Sequence, residues 1–388
     1  MTWRQCCIME ERIRFVIRAL EGEPVAALCR EFEISRKTGY KFLKRYQDFG
    51  IEALRDESRR PLRNANRLSL SIEELILSLK AEKSDWGARK LRERFKRKYP
   101  DLPLPAKSTV HAVLARNGKV GKRGRPRYHA SGTLLSQPVK PNDIWATDYK
   151  GQFRLGNGRY CYPLTVTDLA TRYILACESL ESVQEKQAFP VFEEVFQEHG
   201  LPQAIRTDNG VPFAAAGLFG LSKLSVWWLT LGIRLERIAP GKPQQNGCHE
   251  RMHRTLKAST TRPAAANALQ QQEKFDLFVE EFNNERPHEA LDMKYPVERY
   301  ASSTKSYREP EAIAYPFHDR TVAVGECGNI SLYGKRVYVS RSLAGQTLGV
   351  TELEDEIWKI SFMEHDLGFC DLDSRKFEHG DDPFAIHV

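Results

Sequence analysis

Three carboxylates stand in stretches whose residue types and spacing could act on a phosphodiester. They are Asp148 in Ile144-Trp-Ala-Thr-Asp-Tyr-Lys, Asp208 in Ile205-Arg-Thr-Asp-Asn-Gly, and Glu250 in Gln245-Asn-Gly-Cys-His-Glu-Arg. The first two each close a short apolar or β-branched run, which predicts strand ends. Glu250 follows an Asn-Gly turn and opens a helical stretch. In-line displacement at phosphorus needs an activated nucleophile, charge relief at the pentavalent centre and a stabilised leaving oxygen. Two Mg²⁺ ions about 4 Å apart supply all three, so the protein contributes chiefly hard anionic oxygens held rigidly. Asp148, at the centre of a sheet, is expected to bridge both ions. Asp208 beside it completes one shell and Glu250 the other, and Mn²⁺ is expected to substitute. A single Asp after a strand is usually a turn residue; three acids in strand-strand-helix order reverse that reading.

A second pattern overlaps the third acid. His249-Glu-Arg-Met-His253 matches H-E-x-x-H, in which two His one helical turn apart bind zinc and the Glu acts as base. Five residues with two wildcards match often by chance, and the only nearby third ligand is His288. The Asn-Gly turn directly upstream favours the carboxylate site. It leaves His249 as a chance neighbour and His253 as a helix-face residue near DNA. Arg254 and Lys257 follow Glu250 at i+4 and i+7, on its own helix face, and are expected to contact phosphates. Lys242 lies in the loop before them. Asp168 is expected to pair with Arg172 across a turn rather than to bind metal. Asn209 and Gly210 are expected to shape the turn holding Asp208, and Trp227 and Trp228 to pack in a core or dimer contact.

The elements that must hold the acids begin at Asp143. Residues 144–153, 160–166 and 173–178 read as three antiparallel strands, with Gly156-Asn-Gly158 as a turn. Residues 183–200 are helical, 204–207 and 233–238 are further strands, and helices are expected at 250–258 and about 270–284. This β-β-β-α-β-α-β-α order is a mixed α/β sheet with helices on its faces. Residues 214–225 look like a local insertion that leaves the triad undisturbed. From about Thr321 the texture is all-β. Short strands at 320–325, 329–332, 336–339, 349–354 and 357–362 predict a small SH3-like β-barrel, and 377–388 carry little signal.

The front of the chain has a different charge. Residues 1–140 hold 32 Lys and Arg against 16 Asp and Glu, whereas the remainder holds 27 against 35. A basic front half points to a polyanion-binding module attached to something else. Residues 9–20 and 25–32 read as helices. Ser35 is an N-cap for a third helix, Arg36 to Tyr46, in which Tyr40, Leu43 and Tyr46 pack inward. Arg36, Lys37, Lys41 and Lys44 stay exposed for DNA. Gly39 inside it costs about 1 kcal/mol relative to Ala. The pattern recurs with a capping box at Ser71–Glu74, a very basic helix over 86–97 and a third helix over 104–114. Two helix-turn-helix units are the reading, with a three-helix protein-interaction bundle as the bland alternative. Basic linkers follow each unit. In the second, Lys122, Arg123, Arg125 and Arg127 are expected to follow phosphates or a minor groove.

The eight cysteines include no C-x-x-C pair and no zinc-finger spacing, so they read as reduced thiols. No signal-peptide core and no run of about 20 apolar residues occurs, which predicts a cytoplasmic protein without a membrane partner.

Five stretches carry a family resemblance. They are Trp145-Ala-Thr-Asp148, Thr167-Asp-Leu-Ala-Thr-Arg172, Thr207-Asp-Asn-Gly210, Gly241-Lys-Pro-Gln-Gln-Asn-Gly247 running into Glu250-Arg-Met-His-Arg-Thr-Leu-Lys257, and Phe282-Asn-Asn-Glu-Arg-Pro-His-Glu-Ala-Leu291. The chain resembles bacterial insertion-sequence transposases of the DDE, retroviral-integrase type, strongly over 141–300. Asp148, Asp208 and Glu250 match the three catalytic positions. The 41 residues between Asp208 and Glu250 are a few more than is common in the family. Phe282 stands where Tyr is usual, and the helix-turn-helix pair replaces the zinc-binding domain of retroviral integrases.

The resemblance implies a ribonuclease H-like integrase core over 141–302. Before it come a helix-turn-helix domain (1–54), a linker (55–70), a second such domain (71–118) and a linker (119–140). The β-barrel and tail follow over 303–388. It also implies a transposase that binds inverted-repeat ends of double-stranded DNA, nicks to expose 3′-OH ends and joins them to target DNA. The enzyme would be bacterial and nucleoid-associated. Cutting two ends together implies at least a dimer. A catalytically silent DNA-binding regulator with the same fold is the alternative, and a plain nuclease a third. Three intact carboxylates argue against the regulator, because clustered anions beside DNA gain a pure binder nothing.

Overall fold

A computed structural model describes residues 7–56, 68–121, 135–239 and 242–384 of the chain, without side chains for Pro243 and Gln244. Lys122, Arg123, Arg125 and Arg127 lie outside the described residues. The chain divides into two compact units, Met1–Ser69 and Leu70–Val388.

The first unit packs helices α1 (Ile8–Leu20), α2 (Val25–Glu31) and α3 (Arg36–Phe49) around Phe15, Val16, Leu28, Cys29 and Leu54. Ser35 caps α3 as expected, its side chain accepting the Thr38 N–H at 3.1 Å. Gly39 has a packing reason. A Cβ there would meet Cys29 Sγ at 2.6 Å and Phe15 Cζ at 2.9 Å, so its absence lets α3 close on its two partners. The expected inward set needs one correction. Tyr40 is 60 % exposed, and Phe42 packs against the core with Leu43 and Tyr46 instead. Arg36, Lys37, Lys41 and Lys44 are exposed.

The second unit opens with α4 (Leu70–Glu82), α5 (Ala88–Lys98) and α6 (Lys107–Arg116), which enclose Ile76, Leu79, Trp86, Leu91, Phe95 and Val113. The charge of α5 is largely turned toward the domain that follows. Arg97 pairs with Glu298 at 2.8 Å and lies over the Tyr295 ring, and Arg89 pairs with Glu289. Arg94 and Lys83 both reach Glu285, at 3.2 and 3.3 Å, and Lys83 also reaches Glu281.

That domain is a mixed sheet of β1 (Ile144–Tyr149), β2 (Phe153–Arg154), β3 (Tyr160–Asp168), β4 (Ile174–Leu180), β5 (Ala204–Thr207) and β6 (Arg234–Arg237). The order β2-β3-β1-β5-β6, with β4 on β3, puts β1 between an antiparallel and a parallel neighbour. Helices α7 (Glu185–His199) and α8 (Lys223–Thr230) cover one side, burying Trp145, Phe192, Phe196 and Trp228. Helices α9 (Gly247–Thr260) and α10 (Ala268–Asn284) cover the other, with Met252, Leu256, Phe275 and Phe282. Trp228 is therefore a core residue of the α7–α8 side, packed on Phe192, and Trp227 lies partly buried against the same cluster on Phe189 and Phe196.

The C-terminal part is all-β, with seven strands where the sequence predicts five. They are β7 (Arg320–Ala323), β8 (Asn329–Leu332), β9 (Lys335–Tyr338), β10 (Thr347–Glu354), β11 (Ile357–Phe362), β12 (His365–Asp371) and β13 (Lys376–His379). They form an antiparallel sheet β13-β12-β11-β10-β7 and a hairpin β8-β9. Strand β12 escapes the alternation rule because a bulge at Ile360/Ser361 shifts its register against β11. The segment 214–225 proves more than a local insertion. Leu218 and Leu221, with Val226 and Leu229 of α8, enter the same apolar cluster as Val350, Trp358 and Leu367.

Candidate active site

Local chemistry explains where each acid stands. β1 is buried on both faces through Thr147, and its polarity begins at Asp148, whose side chain keeps 27 % exposure. Asp208 is the first residue beyond β5, where the chain turns. Its Oδ1 accepts the Gly210 N–H at 3.0 Å, and a Cβ on Gly210 would sit 3.0 Å from Oδ2. Asn209 anchors the same turn by donating to the Ile238 carbonyl at 2.8 Å. Glu250 lies exposed in the first turn of α9, where a carboxylate complements the helix dipole.

The three acids share one electrostatic site. Burial first, and then the Asp208 carboxylate with a smaller push from Glu250, raises the Asp148 carboxyl to about 7. Lys150, which sequence reasoning passes over because it belongs to no motif, opposes that shift. A buried ion pair ties two of the acid-bearing segments together. Arg206, two residues before Asp208, donates to Glu236 at 2.7 Å and to the Gln245 carbonyl, in the loop that leads into α9, at 3.4 Å.

The two histidines correct an expectation: they are neither chance neighbours nor helix-face residues but 1 % and 3 % exposed beneath α9. Thr165 Oγ1, opposite Asp148 on β3, lies 3.1 Å from the Asp148 carbonyl, 2.8 Å from His249 Nε2 and 2.6 Å from His253 Nε2. A hydroxyl with one proton and two lone pairs satisfies all three by donating to the carbonyl and accepting from both rings. His249 Nδ1 then accepts from Thr167 Oγ1 at 2.7 Å. Burial keeps both rings neutral, with His249 lowered to about 3 and His253 lowered further, the latter also through His249. That assignment leaves the His253 Nδ1 lone pair 3.6 Å from Asp148 Oδ2.

Two facing lone pairs are an arrangement that a cation between them relieves. Donor atoms of Asp148, His249 and His253 fall within 4.8 Å of one another. Of these, Asp148 and His253 leave free donor atoms facing one another, a pair that fits a cation. His249 has both ring nitrogens engaged by threonines, and His288 is no member of the group whose donor atoms lie together, so the H-E-x-x-H pattern lacks its zinc geometry.

Asp168 also departs from expectation. It is fully buried and pairs with neutral donors, accepting from Asn142 N–H at 2.8 Å and from the Thr171 N–H and hydroxyl at 2.7 and 2.6 Å. Arg172 bonds only its backbone, N–H to the Asp168 carbonyl. Arg254 and Lys257 stay exposed on α9. No helix of the described residues is long and apolar enough to cross a membrane.

The fold is that of an integrase-like core behind helix-turn-helix domains. Comparison with known families bears this out. Residues 138–243 and 231–296 match models of the integrase core domain, residues 11–61 a helix-turn-helix domain, and residues 38–114 a homeodomain-like domain. Among relatives, the insertion element IS407 uncharacterized 31.7 kDa protein of Burkholderia multivorans is 26 % identical over 227 residues, 52 % of this chain and 78 % of that protein. The Pol polyprotein of Radiation murine leukemia virus is 29 % identical over 150 residues, 39 % of this chain but only 23 % of the polyprotein. Among solved structures, the HTLV-2 integrase catalytic core domain in complex with magnesium aligns at 14 % identity with a TM-score of 0.34, covering 42 % of this chain and 100 % of that one. The simian T-cell lymphotropic virus intasome with PP2A regulatory subunit B56 gamma aligns at 15 % with a TM-score of 0.38, covering 75 % and 97 %.

Proposed function

We propose that the protein is a DNA transposase that cuts at the ends of its element and joins the exposed 3′ ends to target DNA. The observation that carries this is the Asp148–Asp208–Glu250 cluster, in which one carboxyl is held near neutrality by burial and two neighbouring acids. Repulsion of that kind raises the energy of the free site and favours binding of a divalent cation. Asp148, Asp208 and Glu250 would hold Mg²⁺ or Mn²⁺, which supplies Lewis-acid activation of the attacking oxygen and relief of charge at phosphorus. The chain's own residues hold the rest in place. Arg206 and Glu236 fix the spacing of the Asp208 turn from α9, and Thr165 holds the Asp148 backbone.

The first helix-turn-helix unit, with Arg36, Lys37, Lys41 and Lys44 outward, is proposed to bind the inverted repeats. Arg254 and Lys257 are proposed to contact DNA near the cut. Joining two ends makes at least a dimer the working assembly. The domain limits of 1–54, 71–118, 141–302 and 303–388 belong to the same proposal.

The test is a strand-transfer assay with labelled element ends, supercoiled plasmid and Mg²⁺ or Mn²⁺. Wild type is expected to join ends to plasmid and Asp208→Asn to fall by about 10³-fold. Specific binding without cleavage in either metal would favour the silent regulator. Joining by Asp208→Asn at the wild-type rate would remove that acid from the site.

A further inference from the structure

A second site, of opposite charge, lies against α9. A cavity of about 410 Å³ opens there between α5, the end of β3 and the loop after α10. Six of its lining residues are Lys90, Arg172, Arg251, Arg254, Arg286 and His288. The charges of the Lys and Arg residues among them are poorly compensated, and burial keeps His288 neutral. Among the described residues, Arg286 reaches a carboxylate, Asp85 at 2.9 Å, whereas Lys90, Arg172, Arg251 and Arg254 have no carboxylate within ion-pair distance. Arg251 finds only the Gly247 carbonyl, at 3.1 Å. The two acids at the wall are already occupied: Asp168 by its three neutral donors, and Glu289 by Arg89. His288 Nε2 is buried without a partner.

A buried polar atom without a partner and four unpaired cations around one cavity describe a site built for an anion. The anion must be small, hard and accept several donors at once, which is the chemistry of a phosphate. We infer that this cavity, beside the carboxylates on α9, holds a backbone phosphate of the DNA strand being cut. This rests on the reading of the protein as a DNA transposase. Glu250 and Arg251 are successive residues on one helix, so the bound phosphate lies about a helix width, ~10 Å, from the reacting one. That is a few nucleotides along the strand. Lys90 comes from α5, so the contact also joins the second helix-turn-helix unit to the catalytic helix. The basic charge of α5, only partly spent on the glutamates of the core, then has a direct use.

The experiment measures DNA binding in EDTA, where no chemistry occurs, across a range of salt. Wild type, Arg172→Gln/Arg251→Gln and Lys90→Gln are compared, with thermal unfolding to show that each folds. The double variant is expected to bind about fivefold more weakly and to lose about one from the slope of log K against log salt, with Lys90→Gln in the same direction. Methylphosphonates placed singly along the cut strand are expected to weaken wild type at one position a few nucleotides from the cut, and to leave the double variant unaffected there.

An unchanged slope and the same interference pattern in both variants would overturn the inference while leaving the transposase reading in place. Failure of wild type to bind any duplex would overturn both. If inorganic phosphate raised the unfolding temperature of wild type alone while the salt slopes stayed equal, the cavity would take a free anion. The DNA assignment would then be wrong.

Discussion

Helix α9 borders two sites that fail to neutralise themselves in opposite senses. On one side Asp208 and Glu250 push up the Asp148 carboxyl; on the other, cations gather around a cavity where, among the described residues, Arg286 is the one paired with a carboxylate. In each, one charge is opposed by burial and by like-charged neighbours, Asp148 by Asp208 and Glu250 and Lys90 by Arg286, and the folded protein is less stable for it. The difference lies in rigidity. The acids are fixed by strand ends, a glycine turn and a helix start. The cations are long side chains from four separate segments, suited to a diester of variable position.

The largest effect expected from breaking this comparison is chemical. Glu250→Gln should reduce strand transfer by about 10³-fold without weakening DNA binding, because it removes a metal oxygen and a negative charge together. Weaker binding in EDTA would mean that the acid serves the DNA contact rather than the reaction.

Stability supplies the next test. The Asp148 carboxyl is raised from 3.8 to about 7, so the unfolded chain gives up that proton first as pH rises. Stability is unaffected by this group below about 4, declines between 4 and 7, and stays lowered above. Asp148→Asn should therefore gain up to about 4 kcal/mol over wild type at pH 8 in EDTA, and nothing at pH 4. Unfolding curves at the two pH values measure it, and equal stability at pH 8 would mean that burial and the neighbouring acids do not raise the Asp148 carboxyl.

Lys90 gives a smaller effect of opposite sign. Burial, then the nearby Arg286, lowers its ammonium to about 8 from 10.5. The penalty is present below pH 8 and is relieved as pH rises through 10.5, because the native state loses its proton first. Lys90→Met should be about 2–3 kcal/mol more stable at pH 7 and lose that advantage by pH 10.5. A pH-independent gain would mean that the methionine merely packs better.

The two sites differ equally in how far the sequence reveals them. Asp148, Asp208 and Glu250 each sit in a short local pattern, and strand or turn chemistry places them before any tertiary contact is known. The cavity draws on residues 90, 172, 251, 254, 286 and 288, which share no spacing and meet only through packing. Helix α5 was legible as a basic helix but not in its orientation, since the glutamates it faces lie about 200 residues away. His249 and His253 matched a zinc pattern because helical spacing alone was visible; Thr165 and Thr167, which engage them, are on β3. Gly39 counted against its helix until Phe15 and Cys29 were seen against it. Strands β12 and β13 were missed at a bulge and in short, exposed chain.

The seam between α5 and the core reaches beyond energetics. Arg89 with Glu289, and Arg97 with Glu298, hold two parts of the chain in register by complementary charge. Either pair could be inverted without changing its attraction, whereas changing one partner alone sets like against like. Across related chains, positions 89 and 289, and 97 and 298, are expected to vary in step. A hybrid that takes its front half from one relative and its core from another inherits the mismatch.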